Sequence, residues 1–134
     1  MIERHLVDAT GWLEYFADGP NAGYFAAVIE QPAHLIVPTV VITKVFRRIY
    51  LDAGEGEALQ AAALLQQGIV VDFDDTLALD AGRIAATDKL ALPSAMLVAT
   101  ARRHGALIWT QDADFADLPD VRYTPKRKRP KAGS

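Results

Sequence analysis

Three aspartates of this chain follow predicted β-strands, where their carboxylates could act together on a metal ion. Asp8 ends the apolar segment RHLVDA, and Asp112 and Asp114 follow ALIWT in the segment WTQDADF. Ligands of open parallel sheets bind beyond the carboxyl ends of the strands, so these carboxylates converge if the two strands are near neighbours. Mg²⁺ prefers oxygen ligands and keeps part of its water shell, and one such water could attack a phosphodiester. The pattern indicates metal-dependent phosphodiester hydrolysis, or alternatively a capping Asp8 and a polar loop at Asp112.

A second acidic segment, VVDFDDTLALD at residues 70–80, resembles the first motif of the haloacid-dehalogenase phosphatases. In that family the first Asp, here Asp72, is the nucleophile and the second, here Asp74, is a general acid. Those enzymes need the nucleophile strand first, whereas 71 residues precede Asp72 and only 62 follow it. We therefore favour a structural role, in which Asp74 or Asp75 accepts hydrogen bonds from free N–H groups of a helix beginning near Thr76.

Length and composition predict one compact domain. The chain has 134 residues, of which 51% are hydrophobic and 23% are charged, as in ordinary globular domains. The absence of cysteine excludes disulfides and thiolate metal sites. Because no long hydrophobic stretch occurs, we expect a cytoplasmic protein without a signal peptide or membrane span.

Charge is distributed unevenly along the chain. The net charge is −3, but the segment KRKRPK at 126–131 contains five of the 14 basic residues, which leaves nine basic against 17 acidic residues, a net −8, in residues 1–125. We predict a single domain over residues 1–124 and a basic, disordered tail over residues 125–134. The alternative is a flexible arm that binds phosphates or an acidic partner.

Predicted strands and helices alternate along the chain. The predicted strands are at residues 4–9, 34–38, 69–73, 106–110 and 121–125. Thr39 is the predicted cap of the helix that follows the second strand. Because strand and helix alternate throughout, the predicted fold is α/β, a three-layer α/β/α sandwich with a central parallel sheet of four or five strands.

Three segments resemble the conserved blocks of PIN-domain proteins. They are LVDATGWLEYF, VPTVVITKVFRR and PSAMLVATARRHGALIWTQDADF, in that order. The resemblance extends to about residue 124 and is strongest to the VapC-type ribonuclease toxins of toxin–antitoxin systems. It implies an α/β/α sandwich and a Mg²⁺- or Mn²⁺-dependent endoribonuclease. It also implies homodimers and neutralisation by a small VapB-like antitoxin.

The resemblance assigns the catalytic residues, with two departures. Asp8 and Asp112 match acids that hold the metal, and Asp114 matches an accessory acid. The Glu expected in the middle helix falls on Lys44, and the Asp expected in the late helix falls on Ser94. Without Asp114 these positions sum to −1 instead of the family's about −4, and an ammonium group repels a divalent ion. The prediction is a weakened ribonuclease or a catalytically degenerate PIN domain that binds RNA or antitoxin as a dimer.

Two of these positions have more than one interpretation. In the first hypothesis Lys44 pairs with Asp8 or Asp112 and fills the place of the cation; in the second it is a surface lysine on an amphipathic helix. Ser94 either holds a metal-bound water or caps the late helix. Thr110 either orients Asp112 or a phosphate, or packs within its strand.

Overall fold

The chain alternates between short apolar strands and amphipathic helices. A computed structural model describes residues 3–129. The strands are β1 (Arg4–Val7), β2 (Leu35–Pro38), β3 (Ile69–Val71), β4 (Ala106–Thr110) and β5 (Val121–Tyr123). The helices are α1 (Ala9–Phe16), α2 (Ala22–Ile29), α3 (Thr39–Ala53), α4 (Glu55–Leu65), α5 (Asp75–Asp88) and α6 (Leu92–His104). Two 3-10 helices cover Pro32–His34 and Ala113–Phe115.

The five strands form one sheet in the order β3-β2-β1-β4-β5, and every pair of neighbours is parallel. Six helices flank this sheet, which confirms the predicted α/β fold with a parallel sheet of five strands. All four residues of β2 are buried, as expected for an inner strand of a parallel sheet that is covered by helices.

The order of the strands reverses direction at β1. The chain adds β2 and β3 on one side of β1 and then places β4 and β5 on the other side. Val7 at the end of β1 pairs with Trp109 in β4. The carboxyl ends of β1 and β4 therefore adjoin at the topological switch point, where open α/β sheets bind their ligands.

Helix α3 follows β2 without a linker. Its N-cap residue is Pro38, and no side chain caps the helix. Thr39 is already the first helical residue, so the predicted cap at Thr39 is wrong: a capping residue must keep an extended backbone, and only Pro38 does so here. Val41 and Val45 are buried at helical spacing and face the core.

Helix α5 begins as the capping interpretation predicts. The Asp74 carboxylate accepts a hydrogen bond from the backbone N–H of Leu77 (2.8 Å), and Asp75 accepts one from that of Thr76 (3.0 Å). The preceding strand β3 lies at the edge of the sheet. This segment therefore has a local structural role at the start of α5, and the capping prediction is confirmed.

The predicted tail is described as far as residue 129, and its last part, residues 130–134, lies outside the described residues. Residues 124–129 follow β5 without regular secondary structure. Within the described part of the chain, no single helix is long and apolar enough to cross a membrane; only α5 and α6 taken together, across a bend of 117°, reach the required length and composition.

Candidate functional site

Asp8 occupies the junction between β1 and α1. It is the N-cap of α1, and its Oδ1 atom accepts hydrogen bonds from the backbone N–H of Gly11 (2.9 Å) and the hydroxyl of Thr10 (2.7 Å). Its Oδ2 atom accepts a third hydrogen bond from the hydroxyl of Thr110 (2.6 Å). The residue is only 3% exposed. Three donors from two parts of the chain therefore fix the orientation of this carboxylate.

Thr110, the last residue of β4, links Asp8 to Asp112. Its hydroxyl donates to Asp8 and accepts a hydrogen bond from the backbone N–H of Asp112 (2.9 Å). Asp112 in turn caps the following 3-10 helix, since its Oδ1 accepts from the backbone N–H of Asp114 (2.9 Å). Asp112 is half-buried and Asp114 is exposed. The structure thus brings the three predicted acids together at the carboxyl ends of β1 and β4.

The electrostatics of the site follow from the burial of Asp8. Burial raises the pKa of the Asp8 carboxyl above its ordinary value of 3.8, because the charged form loses hydration, and the hydrogen bonds from Thr110, Thr10 and Gly11 oppose that change. The negative charge of Asp112 raises the same pKa further. A positive group placed between the two carboxylates would therefore be stabilised there.

Lys44 lies in the second turn of α3, and its side chain is exposed, as are those of Arg47 and Arg48. Within residues 3–129, the Lys44 ammonium has no carboxylate oxygen within 4.0 Å. Lys44 therefore does not form the hypothesised ion pair with Asp8 or Asp112, both of which lie within these residues.

Ser94 lies in the first turn of α6 and is 8% exposed. The N-cap of α6 is Ala91, which makes no side-chain cap, so the alternative in which Ser94 caps the helix is not observed. Helix α6 packs on β1, β2 and α3 and ends directly before β4. Since α6 returns the chain to the amino end of β4, its first turn lies toward the carboxyl edge.

Within residues 3–129, the acids at these strand ends supply only part of a metal site. Among residues 3–129, no group of three or more His, Cys, Asp or Glu side chains could hold a metal ion. Both oxygens of Asp8 are already hydrogen-bonded, and so is one oxygen of Asp112. A carboxylate oxygen has two lone pairs and can bind an ion beside one hydrogen bond, but an octahedral Mg²⁺ needs six oxygen ligands, most of which two carboxylates cannot supply. Asp8 and Asp112, the predicted metal ligands, therefore form no complete site with the contacts that they make here.

Sequence reasoning missed a buried amide next to this edge. Asn21 is 1% exposed, and its Nδ2 atom donates to Oε1 of Gln111 and to the backbone oxygen of Pro125, both at 3.0 Å. Its Oδ1 atom is buried and has no hydrogen-bond partner among the described residues. The segment GPNA at residues 19–22 is typical of a loop, and no local pattern relates position 21 to position 111. Thr10 was also missed, although its spacing from Asp8 is common for side-chain contacts of this kind.

A cleft of about 640 Å³ opens beside the site, between α1, α3 and α4. Thr10, Gln111 and Lys126 lie at the end of the cleft near the strand ends, and Leu13 and Ile49 contribute apolar walls. This volume is within the range of pockets that hold small ligands or peptide segments. The cleft therefore adjoins the candidate site through Thr10 and Gln111, the neighbours of Asp8 and Asp112.

The family follows from a comparison with known domains. The family model of the PIN domain matches residues 5–121, which is most of the chain. The chain belongs to the PIN-domain family. Nucleases of the PIN family generally use a divalent metal, and Asp8 and Asp112 lie at the strand ends where the resemblance placed two of the catalytic acids. No curated protein matches this PIN-domain chain in sequence.

Solved structures share the same fold. A toxin–antitoxin complex from Klebsiella pneumoniae has a TM-score of 0.76 at 22% identity and covers 92% of this chain and 99% of its own. DNA-bound VapBC from Salmonella typhimurium has a TM-score of 0.69 at 12% identity, covering 92% and 98%. VapC20 of Mycobacterium tuberculosis, described as a toxin that cleaves the sarcin–ricin loop, has a TM-score of 0.69 at 18% identity, covering 85% and 94%. Toxins of the VapC group thus have the fold of this PIN-domain protein.

Proposed function

We propose that this PIN-domain protein is the VapC-type member of a toxin–antitoxin pair, and that it acts on RNA at the edge formed by Asp8 and Asp112. We further propose that it hydrolyses RNA far more slowly than a PIN site with four acids. The observation that carries this proposal is the Thr110 hydroxyl, which joins the two acidic strand ends at the switch point of the sheet. The toxins of similar fold support the choice of RNA as substrate.

In this proposal the acids have different tasks. Asp8 holds the strand ends together through its hydrogen bonds to Thr110, Thr10 and Gly11, and with Asp112 it would supply the carboxylates that hold a metal ion. Asp112 keeps one carboxylate oxygen for an attacking water, from which it accepts a proton as general base while the water oxygen bonds to phosphorus. The bond from phosphorus to the leaving sugar oxygen breaks, and that oxygen takes a proton from solvent. Asp114, which is exposed, assists at the rim.

Lys44 and Ser94 account for the slow rate. An ammonium that came within roughly 5 Å of a divalent ion would, at an effective dielectric constant of about 20, cost on the order of several kcal/mol in place of the attraction that a Glu provides. The Ser94 hydroxyl can hold a water but brings no charge. With Mg²⁺ or Mn²⁺ in solution, we therefore expect weak binding of the ion at Asp8 and Asp112.

A second candidate function is a binding module that captures RNA or an antitoxin as a dimer without cleavage. Two observations favour it: the Asp8 carboxylate accepts three hydrogen bonds from the chain itself, and residues 3–129 include no cluster of three possible metal ligands. The site predicts one difference between the two functions, which is whether bound RNA is cleaved. An assay of cleavage separates them.

The test restores the missing acids and measures cleavage of a structured RNA in Mn²⁺. The variants are Lys44→Glu, Ser94→Asp and the double change, and Arg47→Glu is the matched control because it reverses one exposed charge on the same helix. We expect the double variant to cleave at least about 100-fold faster than the natural chain, since about 2.7 kcal/mol of cation binding corresponds to that factor. Arg47→Glu should leave the rate unchanged.

Other outcomes would decide against parts of the proposal. Fast cleavage by the natural chain that disappears in Asp112→Asn would contradict a weakened site. RNA binding without cleavage by any variant would favour the binding module. Release of phosphate from small esters, lost in Asp72→Asn, would favour the phosphatase alternative and end the RNA proposal.

The proposed partner is a small VapB-like antitoxin, and the proposed setting is the cytoplasm. Structures of similar fold are toxin–antitoxin complexes, and the cleft between α1, α3 and α4 offers an apolar surface for a partner segment. We also propose a homodimer, for which the exposed side chains of Tyr50, Leu51 and Leu59 on α3 and α4 supply apolar area. Light scattering of the natural chain and of Leu51→Glu tests this, since a monomeric natural chain would contradict the dimer.

A further inference from the structure

The C-terminal segment of residues 124–129 is attached to the candidate site. The backbone N–H of Thr124 donates to the backbone oxygen of Thr110 (3.0 Å). Thr110 is the last residue of β4, and the acidic loop with Asp112 and Asp114 follows it. The next residue, Pro125, accepts a hydrogen bond from the buried amide of Asn21, which also holds Gln111. Thr124 is thus bonded to Thr110, and Pro125 shares the Asn21 amide with Gln111. Because Thr110 and Gln111 directly precede Asp112, the segment starts beside that acid.

The following four residues carry one positive charge each. Lys126, Arg127, Lys128 and Arg129 are all exposed. Lys126 lies at the end of the cleft near Thr10 and Gln111, and Arg129 donates to the backbone oxygen of Ala17 (2.5 Å) at the end of α1. The segment therefore runs from the strand ends across the C-terminal end of α1.

These charges are available to a ligand. In the part of the chain from residue 3 to residue 129, none of the four side chains has a carboxylate oxygen within 4.0 Å. The rest of the chain up to residue 125 has a net charge of −8, so a polyanion that approaches Asp8 and Asp112 is repelled unless cations hold it there. Among residues 3–129, this segment carries four consecutive cations directly after residues that are bonded to Thr110 and to the partner of Gln111.

We propose that residues 126–129 form a phosphate-binding arm, which the Asn21 amide and the Thr110 backbone hold beside Asp112 so that an RNA strand crosses the acidic edge. This inference rests on the proposed action on RNA. Lys and Arg side chains neutralise phosphates and release their counterions, and this sequence-independent contribution dominates the affinity of many proteins for nucleic acids. Arg127 and Arg129 add the planar guanidinium group, which binds phosphate oxygens in pairs.

The position of the arm favours RNA over an acidic protein. An acidic partner could bind four exposed cations anywhere on the surface, whereas a substrate strand must be held within reach of the reacting acids. The hydrogen bonds of Thr124 and Pro125 place the arm at the acidic strand ends. The arm therefore sets where along the strand the site acts, and its contacts carry no base specificity.

The experiment measures binding of a fluorescently labelled 12-nucleotide oligouridylate by polarisation, in EDTA, over a series of salt concentrations. The natural chain is compared with Lys126→Gln/Arg127→Gln. The matched control is Arg83→Gln/Lys89→Gln, which removes two exposed charges from the region of α5. We expect the arm variant to bind about 10-fold more weakly, and its slope of log K against log salt to be smaller by about 1.4, since each phosphate contact to a single strand contributes about 0.7. The control should change the affinity less than about twofold.

Four other results would contradict the inference, and each of them has a different meaning. Equal weakening in the two double variants would show unspecific attraction by net charge. Unchanged affinity and salt slope in the arm variant would remove the arm and leave the proposed action on RNA intact. A natural chain that binds no RNA would overturn both proposals. Binding of oligoglutamate that depends on Lys126 and Arg127, without such dependence for RNA, would identify an acidic protein as the partner.

Discussion

Asp8 and Asp74 make the same local helix cap but differ in their burial and in their contacts with other parts of the chain. Each follows a strand, caps the next helix and accepts a hydrogen bond from the backbone N–H three residues later, at 2.9 Å for Asp8 and 2.8 Å for Asp74. Asp8 is 3% exposed, whereas the side chain of Asp74 is 51% exposed. A capping aspartate thus becomes part of a candidate site only where the sheet buries it.

The position of each strand in the sheet explains the difference. β1 lies between β2 and β4, so that Asp8 meets Thr110 of the neighbouring strand. β3 is an edge strand, and the further partner of Asp74 is Arg103 at the surface (3.1 Å). Exposed ion pairs of that kind contribute little to stability. The buried capping residue therefore holds two strands together, while the exposed one stabilises only its own helix.

The largest effect that we expect is the difference in stability loss between replacing a buried and an exposed aspartate at the end of a strand. Asp8→Ala removes a helix cap and leaves the hydroxyl groups of Thr10 and Thr110 without their acceptor, for a loss of about 3 kcal/mol in the free energy of unfolding. Asp72→Ala at the end of β3 is the control, with a change within about 0.5 kcal/mol. Urea unfolding measures both. Similar losses in the two variants would show that burial does not distinguish the two strand ends.

The next effect concerns the link between β1 and β4. Thr110→Val keeps the shape of the side chain but removes the donor to Asp8 and the acceptor for the N–H of Asp112. We expect a loss of about 1.5 kcal/mol in unfolding free energy, because buried polar groups lose their partners. Thr43→Val is the control, since the Thr43 hydroxyl is exposed and bonds only within its own helix. A loss no larger than that of the control would contradict the bridging role.

The smallest effect is a difference in pH dependence. Burial raises the pKa of Asp8, so the folded chain takes up its proton first, and its contribution to stability is present at low pH and lost as the pH rises through the raised value. The hydrogen bond from Leu77 and then Arg103 hold the pKa of Asp74 below 3.8, so its contribution is present above 3.8 and lost as the pH falls further.

Unfolding free energies at pH values from 3 to 7 test this contrast. As the pH falls from 7 to 3.8, the natural chain should gain stability relative to Asp8→Asn. Relative to Asp74→Asn, its advantage should stay constant over that range and shrink only below 3.8. Parallel curves for the two variants would refute the opposite shifts of the two pKa values.

Local patterns were sufficient for some features. Strand β4 was predicted with its observed bounds, because ALIWT is apolar and begins after Gly105, whose positive φ of 61° ends α6. The cap of α5 was predicted because Asp side chains bind free N–H groups at helix starts. The cap at Thr39 was wrong because β2 continues into α3 with no intervening residue.

Other features of the site were beyond local patterns. The exposure of Lys44 and the absence of its ion pair within the described residues depend on how α3 packs, and the hydrophobic spacing of α3 is compatible with either orientation. The burial of Asn21 depends on the loop of Gln111 and on the segment after β5. Helical or strand periodicity contains no information about such partners, because it describes only neighbours along the chain.

By itself, the sequence determined the order of strands and helices, the acids at the strand ends and the PIN-domain resemblance, because side-chain periodicity and capping act over a few residues. Only the tertiary structure decided that Thr110, 102 residues from Asp8, donates to it, and that Pro125 is held by an amide 104 residues away. The order of strands in the sheet sets such contacts, and that order results from the packing of the whole domain.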